Sequence, residues 1–369
     1  MNMMATCNNM NKADVTSGCQ FENGKHTIDV QVTSDDRQLV LGRYMMNTSA
    51  SGILGEGSFS ICRKGTNIQT GEEVAIKQYK MGKNNTEEVQ GTLTKFRRQV
   101  AVLMELQKPW ASEVSNDPAQ WHEALMQETP GRLFMQMIDY STDENGEPGP
   151  DARDGTMYMV TELAQYSLKE YLKVQRSRNQ AFSRKAVKRS ARAILLATAG
   201  LHAKGFVHLD LKPENMMMFN GRLKLIDVDG CVEIGSEVSL HDNSTSFSPC
   251  YCAPEWARFL LGSSGSTMTA NPGLDSWSIG LTICELVTLG AVMRPIYGRF
   301  RQRAQSGNEA SLLFMNWLGG LESEAPVPVS VEFFDAGLWE LLHQGLLVCD
   351  ADRRLSPVQC LSMPYFSSA

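Results

Sequence analysis

The chain has 369 residues, a formal net charge of −6 and a pI near 5.6, so neither a nucleic acid nor an anionic membrane surface is expected as its main partner. Hydrophobic residues make up 42% and charged residues 21%, the balance of a soluble globular protein able to bury one large two-lobed domain or two ordinary ones. No apolar run approaches the ~20 residues of a spanning helix, because Glu285 interrupts the stretch from Ile279 to Val292. The sequence Met1-Asn2-Met3-Met4-Ala5-Thr6-Cys7 has no basic segment ahead of an apolar one, so no secretory leader is expected. The nine cysteines are odd in number and scattered, which fits reduced thiols in a cytoplasmic or nuclear protein.

Residues 1–42 are rich in Asn, Asp, Thr, Ser and Met without a sustained period, and read as a mobile extension with a short strand at residues 26–33. The run Ile53-Leu54-Gly55-Glu56-Gly57-Ser58-Phe59-Ser60-Ile61-Cys62 then reads as two strand pieces joined by a glycine turn. Its glycines let backbone amides approach phosphates that a Cβ would keep away. After a turn at Thr70-Gly71-Glu72, Val74-Ala75-Ile76-Lys77 is a β-branched strand ending in a lysine able to reach phosphate. Residues 96–103 form a helix that carries Gln99. A polar, Gly/Pro-punctuated insertion over residues 143–151 precedes a buried strand over residues 157–163, which contains Thr161, Glu162 and Leu163.

From Phe182 to Lys204, Val187, Ala191, Ile194, Leu195, Thr198 and Leu201 recur at helical spacing, with Lys185, Lys188, Arg189 and Arg192 on a solvated opposite face. Next comes His208-Leu209-Asp210-Leu211-Lys212-Pro213-Glu214-Asn215, followed by Lys224-Leu225-Ile226-Asp227-Val228-Asp229-Gly230 at the end of an apolar, strand-like run. Together these segments hold a base, a cation and hard oxygen donors of the kind Mg²⁺ prefers, the parts that phosphoryl transfer requires. Ala253-Pro254-Glu255, a largely buried helix over residues 274–289 that includes Asp275, and Asp350-Ala351-Asp352-Arg353-Arg354 complete the series.

In this order the segments resemble the landmarks of the protein kinase superfamily, serine/threonine type, from about residue 43 to residue 366. The resemblance implies an α+β, two-lobed kinase fold, with a β-rich lobe over 43–163 and a mainly helical lobe over 166–366. It also implies ATP and Mg²⁺ as cofactors and a protein hydroxyl as substrate. Asp210 would then orient the attacking hydroxyl, Lys212 would neutralise the moving phosphoryl, and Asn215 and Asp227 would hold the metal. ATP would lie among Leu54, Gly55, Gly57, Ser58, Phe59, Cys62, Ala75, Lys77, Thr161, Glu162 and Leu163. For Cys62 the competing expectation is a thiol packed on the lobe's other face, since strand side chains alternate. His208 and Asp275 would support the catalytic loop, Ser248 would bridge Asp210 and Lys212, and Glu255 would pair with Arg354.

The sequence departs from the family pattern at four places. Leu209 replaces the arginine before the base, which weakens control by activation-loop phosphate. Ser60 replaces the third glycine, a mild change, and Val228-Asp229 stand where Phe-Gly is usual, adding a charge and stiffening the backbone. Gln99 falls where a glutamate usually pairs with the lysine, leaving Lys77 a neutral amide. Neither nearby acid repairs this: Glu105 lies about 240° round the helix, and Glu88 about 16 Å along its axis. An activator protein on the first lobe would supply the missing order. The alternative is a pseudokinase that binds nucleotide or a partner without catalysis.

Overall fold

The computed structural model describes residues 36–57, 59–80, 86–110, 121–240, 247–263, 265–322 and 327–367. The strand expected over residues 26–33 lies outside them. The first lobe is built on one antiparallel sheet of β1 (Arg37–Val40), β2 (Tyr44–Asn47), β3 (Ile53–Glu56), β4 (Ser60–Asn67), β5 (Glu73–Tyr79), β6 (Met137–Tyr140) and β7 (Tyr158–Glu162). Its order is β1-β2-β4-β5-β7-β6, with β3 paired to β4 off that path.

The chain turns from β1 into β2 through Leu41, Gly42 and Arg43, with Leu41 and Gly42 at φ of 50° and 68° and the Arg43 N–H donating to the Val40 carbonyl at 3.2 Å. This corrects the expectation that all of residues 1–42 form a mobile extension, because the sheet begins at Arg37. Val40 is buried with Tyr44 and Met46, and one four-residue strand is too short to stand out in a polar sequence.

Strand alternation gives the sheet two faces. Val74 and Ile76 of β5 and Tyr158 and Val160 of β7 join Val40, Tyr44 and Met46 in a small core on one of them. Ala75, Lys77 and Tyr79 point the other way, with Thr161 opposite Ala75, and Met159 and Cys62 on either side of Lys77. That second face meets α1 (Thr86–Gln107), whose Phe96, Val100 and Leu103 are buried at three- and four-residue spacing. On the far side of α1, Arg97 donates to the Pro148 carbonyl at 2.8 Å and lies 3.5 Å from Asp143, tying the polar insertion to the helix.

A short α2 (Pro130–Leu133) comes before β6, and after β7 the second lobe begins with β8 (Tyr166–Ser167), α3 (Leu168–Ser177) and α4 (Arg184–Ala203). Ser183 caps α4 by accepting the Ala186 N–H at 3.2 Å, and Val187, Ala191, Ile194, Leu195, Thr198 and Leu201 are buried. Lys185, Arg189 and Arg192 are exposed on its other side. After β9 (Phe206–Val207), β10 (Met216–Phe219) and β11 (Arg222–Leu225), the lobe continues through short strands to α5 (Pro254–Leu260) and α6 (Pro272–Thr288). Asn271 caps α6 by accepting the Gly273 N–H at 2.9 Å. Residues 274–286 are buried all round, so this helix has no water-facing stripe and runs through the middle of the lobe. Among the described residues no helix is long and apolar enough to cross a membrane.

Candidate active site

The segment between β9 and β10 is hung from α6. The Asp275 carboxylate, 0% exposed, accepts the backbone N–H of His208 at 2.8 Å and of Leu209 at 2.9 Å. It also lies 2.9 Å from His202 Nε2 on α4. These bonds hold Leu209 at a φ of 69°, a left-handed conformation that a branched side chain resists. Leu209 itself is buried in the main core, so no cation stands there to meet a phosphate. His208 Nδ1 accepts the Asp210 N–H at 3.3 Å, and its Nε2 lies 3.1 Å from the Ile226 carbonyl.

This loop aims Asp210 into the cleft. Lys212 Nζ lies 2.6 Å from Asp210 Oδ2 and 2.8 Å from Ser248 Oγ, so the three groups form one cluster. Asp210 Oδ1 is buried and has no hydrogen-bond partner among the described residues. Burial pushes the Asp210 carboxyl up, while Lys212 and Ser248 pull it back. Burial works against the charge on Lys212, but Asp210, with Asp227 and Glu214, outweighs it and raises the ammonium above the usual lysine value.

Asn215 donates its amide Nδ2 to the Asp210 carbonyl at 2.9 Å, which leaves Oδ1 as its acceptor. Asp227 sits across the cleft with φ 60° and ψ 55°, a left-handed conformation that a short polar side chain tolerates. Its neighbours Lys77, Lys212 and His208 overcome burial and hold its carboxyl below the usual range. A low carboxylate and an amide oxygen suit a hard divalent cation, so Asp227 and Asn215 fit Mg²⁺.

Lys77 reaches the same place from the sheet. Its Nζ is 3.1 Å from Gln99 Oε1 on α1, 3.5 Å from Asp227 Oδ1 and 3.5 Å from Asp229 Oδ2. Gln99 therefore does face Lys77, and its oxygen also accepts the Tyr79 hydroxyl. Burial disfavours the Lys77 charge, but the Asp229 and Asp227 carboxylates favour it, and its pKa lies well above the usual lysine value. The sequence reading missed Asp229 as a partner of Lys77, because the two belong to different lobes and no local pattern links them.

Other expected residues fall as follows. Cys62 pairs with Lys77 across β4 and β5, and directly opposed residues share a face, so its thiol is on the cleft side. Burial pushes that thiol up. Ala75 and Thr161 are buried and opposite one another on the same face. Glu162 departs from a role towards the base: its carboxylate turns to Lys224, with Nζ–O distances of 2.6 and 2.9 Å, and accepts the Gln136 N–H. Leu163 is partly exposed.

Leu54 is exposed, Gly55 pairs with Cys62, and the Gly57 N–H donates to the Ser60 carbonyl at 2.9 Å. Phe59, at the glycine turn, lies under the Lys95 ammonium of α1 at 3.6 Å, and Ser58 lies outside the described residues. Farther off, Arg354 binds Glu255 through two nitrogens at 2.6 and 3.0 Å, with the Arg354 side chain 0% exposed.

A two-lobed fold with a glycine turn, a lysine strand and two acids converging on one cleft defines a nucleotide-dependent phosphotransferase architecture. The chain matches the protein kinase domain family over residues 49–366 and belongs to it. It is 29% identical over 212 residues to cyclin-dependent kinase F-3 of Oryza sativa subsp. japonica, covering 52% of this chain and 45% of that protein. It is 30% identical over 238 residues to human serine/threonine-protein kinase D3, covering 63% of this chain and 21% of that protein. With Arabidopsis thaliana mitogen-activated protein kinase 19 the identity is 26% over 334 residues, covering 85% of this chain and 48% of that protein. The chain thus spans less than half the length of these three relatives.

Proposed function

We propose that the chain is a protein serine/threonine kinase that transfers the γ-phosphoryl group of ATP, with Mg²⁺, to a protein hydroxyl. The observation that carries this reading is Asp210: Lys212 holds one carboxylate oxygen, and the other is buried without a hydrogen-bond partner among the described residues. A buried carboxylate oxygen left unbonded is costly, and a substrate hydroxyl would satisfy it. Asp210 would accept that hydroxyl's hydrogen bond and orient it, Lys212 would follow the charge of the moving phosphoryl, and Ser248 would keep the two aligned. Bound Mg²⁺, held by Asp227 and Asn215, would supply positive charge to the phosphate oxygens. Lys77 would bind phosphate, while Cys62, Ala75, Thr161 and the backbone after Glu162 would enclose the base.

The kinase names of the relatives support the serine/threonine class, and a protein substrate fits the family. A partner packed on the first lobe would act on α1, whose tie to Lys77 is the neutral Gln99 amide. The seven cysteines among the described residues are free thiols, in keeping with a cytoplasmic or nuclear location.

Incubation with labelled ATP, Mg²⁺ and a peptide array tests the reading. Asp210→Asn and Asp227→Asn are each expected to cut transfer by about 10³-fold or more. A wild-type protein that binds Mg-ATP but transfers nothing would make it a pseudokinase. Substantial turnover in Asp227→Asn would remove that residue from metal binding.

A further inference from the structure

In this chain the side chain that α1 turns towards Lys77 carries no charge. Gln99, 1% exposed, accepts from the Lys77 ammonium and the Tyr79 hydroxyl through a single amide oxygen. A carboxylate is nevertheless at hand, on the other lobe. The tight turn Val228–Gly230 directly follows Asp227 and packs against α1. It presents Asp229 Oδ2 at 3.5 Å from Lys77 Nζ. Val228 and Gly230, both buried, pin the turn on either side of it. Asp229 has a negative φ, so the charged residue sits there without left-handed strain. Both side chains are mostly enclosed, with Lys77 20% and Asp229 22% exposed, so the pair is less screened than a surface ion pair.

Asp227 is equally distant from Lys77, but in the proposed reaction its carboxylate is committed to Mg²⁺. With the metal bound, Asp229 is the carboxylate left to Lys77. We infer that Asp229 is the positioning residue for Lys77, taking over from α1 the acidic partner that orders the phosphate-binding lysine. This rests on the phosphotransfer reading and extends it to control of the site. The lysine's counter-ion rides on the same short turn as the metal-binding Asp227, so ordering that turn prepares phosphate and metal binding together. A shift of α1 breaks the Lys77 hydrogen bond to a neutral amide and takes no charge partner away from Lys77.

The test uses the whole chain as wild type, Asp229→Asn, Asp229→Gly, Gln99→Glu and Asp229→Asn/Gln99→Glu. Mg-ATP affinity is measured by calorimetry, transfer by single-turnover kinetics and folding by thermal melting. Losing one close, partly enclosed charge partner is expected to lower transfer efficiency about tenfold and weaken Mg-ATP binding several-fold in both Asp229 variants. Adding Gln99→Glu to Asp229→Asn is expected to recover most of both losses, which a purely structural role for Asp229 would not allow. In the wild-type background Gln99→Glu is expected to gain less than about twofold, because Lys77 already has its carboxylate.

Wild-type behaviour in both Asp229 variants would overturn the inference. So would a folded Asp229→Asn that Gln99→Glu fails to restore, or a tenfold gain from Gln99→Glu alone. That last arm decides the matter even if the Asp229 variants do not fold. If the wild type transfers no phosphoryl group, the enzyme reading fails on its own, and loss and rescue of Mg-ATP affinity still decide the role of Asp229.

Discussion

Leu209 and Cys62 show how much one side chain can settle. Leu209 is 5% exposed and packs in the main core at a φ of 69°, a conformation that costs an L-residue roughly 1–2 kcal/mol. Asp275 offsets that cost by holding the His208 and Leu209 amides. The sequence foretold a loop without its usual arginine, but only packing shows that the replacement joins the core. Cys62 was legible as a cleft candidate and ambiguous as to face, and its register opposite Lys77 decides the face. A thiol-reactive adenine mimic is therefore expected to label Cys62. ATP with Mg²⁺ at about ten times its Kd should slow that labelling about tenfold. Labelling at an undiminished rate would put the thiol outside the nucleotide site.

Among the elements, α6 carries the most of the site without touching substrate. Its apolar run was readable in sequence, because a helix buried on every side needs no amphipathic period. The support that Asp275 gives the catalytic loop also followed from the family resemblance, whereas His202, brought in by α4, did not. Removing that carboxylate leaves two buried amides and a buried imidazole short of a partner. Asp275→Ala is expected to destabilise the fold by on the order of 3 kcal/mol and to lower activity in the molecules that remain folded. Urea unfolding measures the first effect, and a midpoint equal to wild type would mean the loop is held by something else. The Glu255–Arg354 pair illustrates the opposite case. Its two landmarks were visible in sequence, and the enclosed bidentate geometry bears out their pairing.

At the scale of the whole molecule, the site exists only where the lobes meet. Lys77 and Gln99 come from the first lobe, and Asp210, Lys212, Asn215, Asp227 and Asp229 from the second. Each linear motif announced its own local geometry, since spacing within one turn or strand fixes which atoms face together. Contacts that cross the cleft, such as Lys77 with Asp227 and Asp229, depend on how the lobes pack, and no short window of sequence holds that information. The same division predicts how the protein responds to its ligand. Nucleotide would neutralise Lys77 from one side, and the metal would neutralise Asp227 from the other, so each relieves a charge the folded cleft keeps enclosed. At about 100 times its Kd, ATP with Mg²⁺ is expected to add about 2.7 kcal/mol to stability, raising the melting temperature by roughly 5 °C. ATP with a chelator should give a smaller shift, because Asp227 then faces the phosphates as an uncompensated negative charge. Equal shifts with and without Mg²⁺ would mean that Asp227 and Asn215 do not bind the metal.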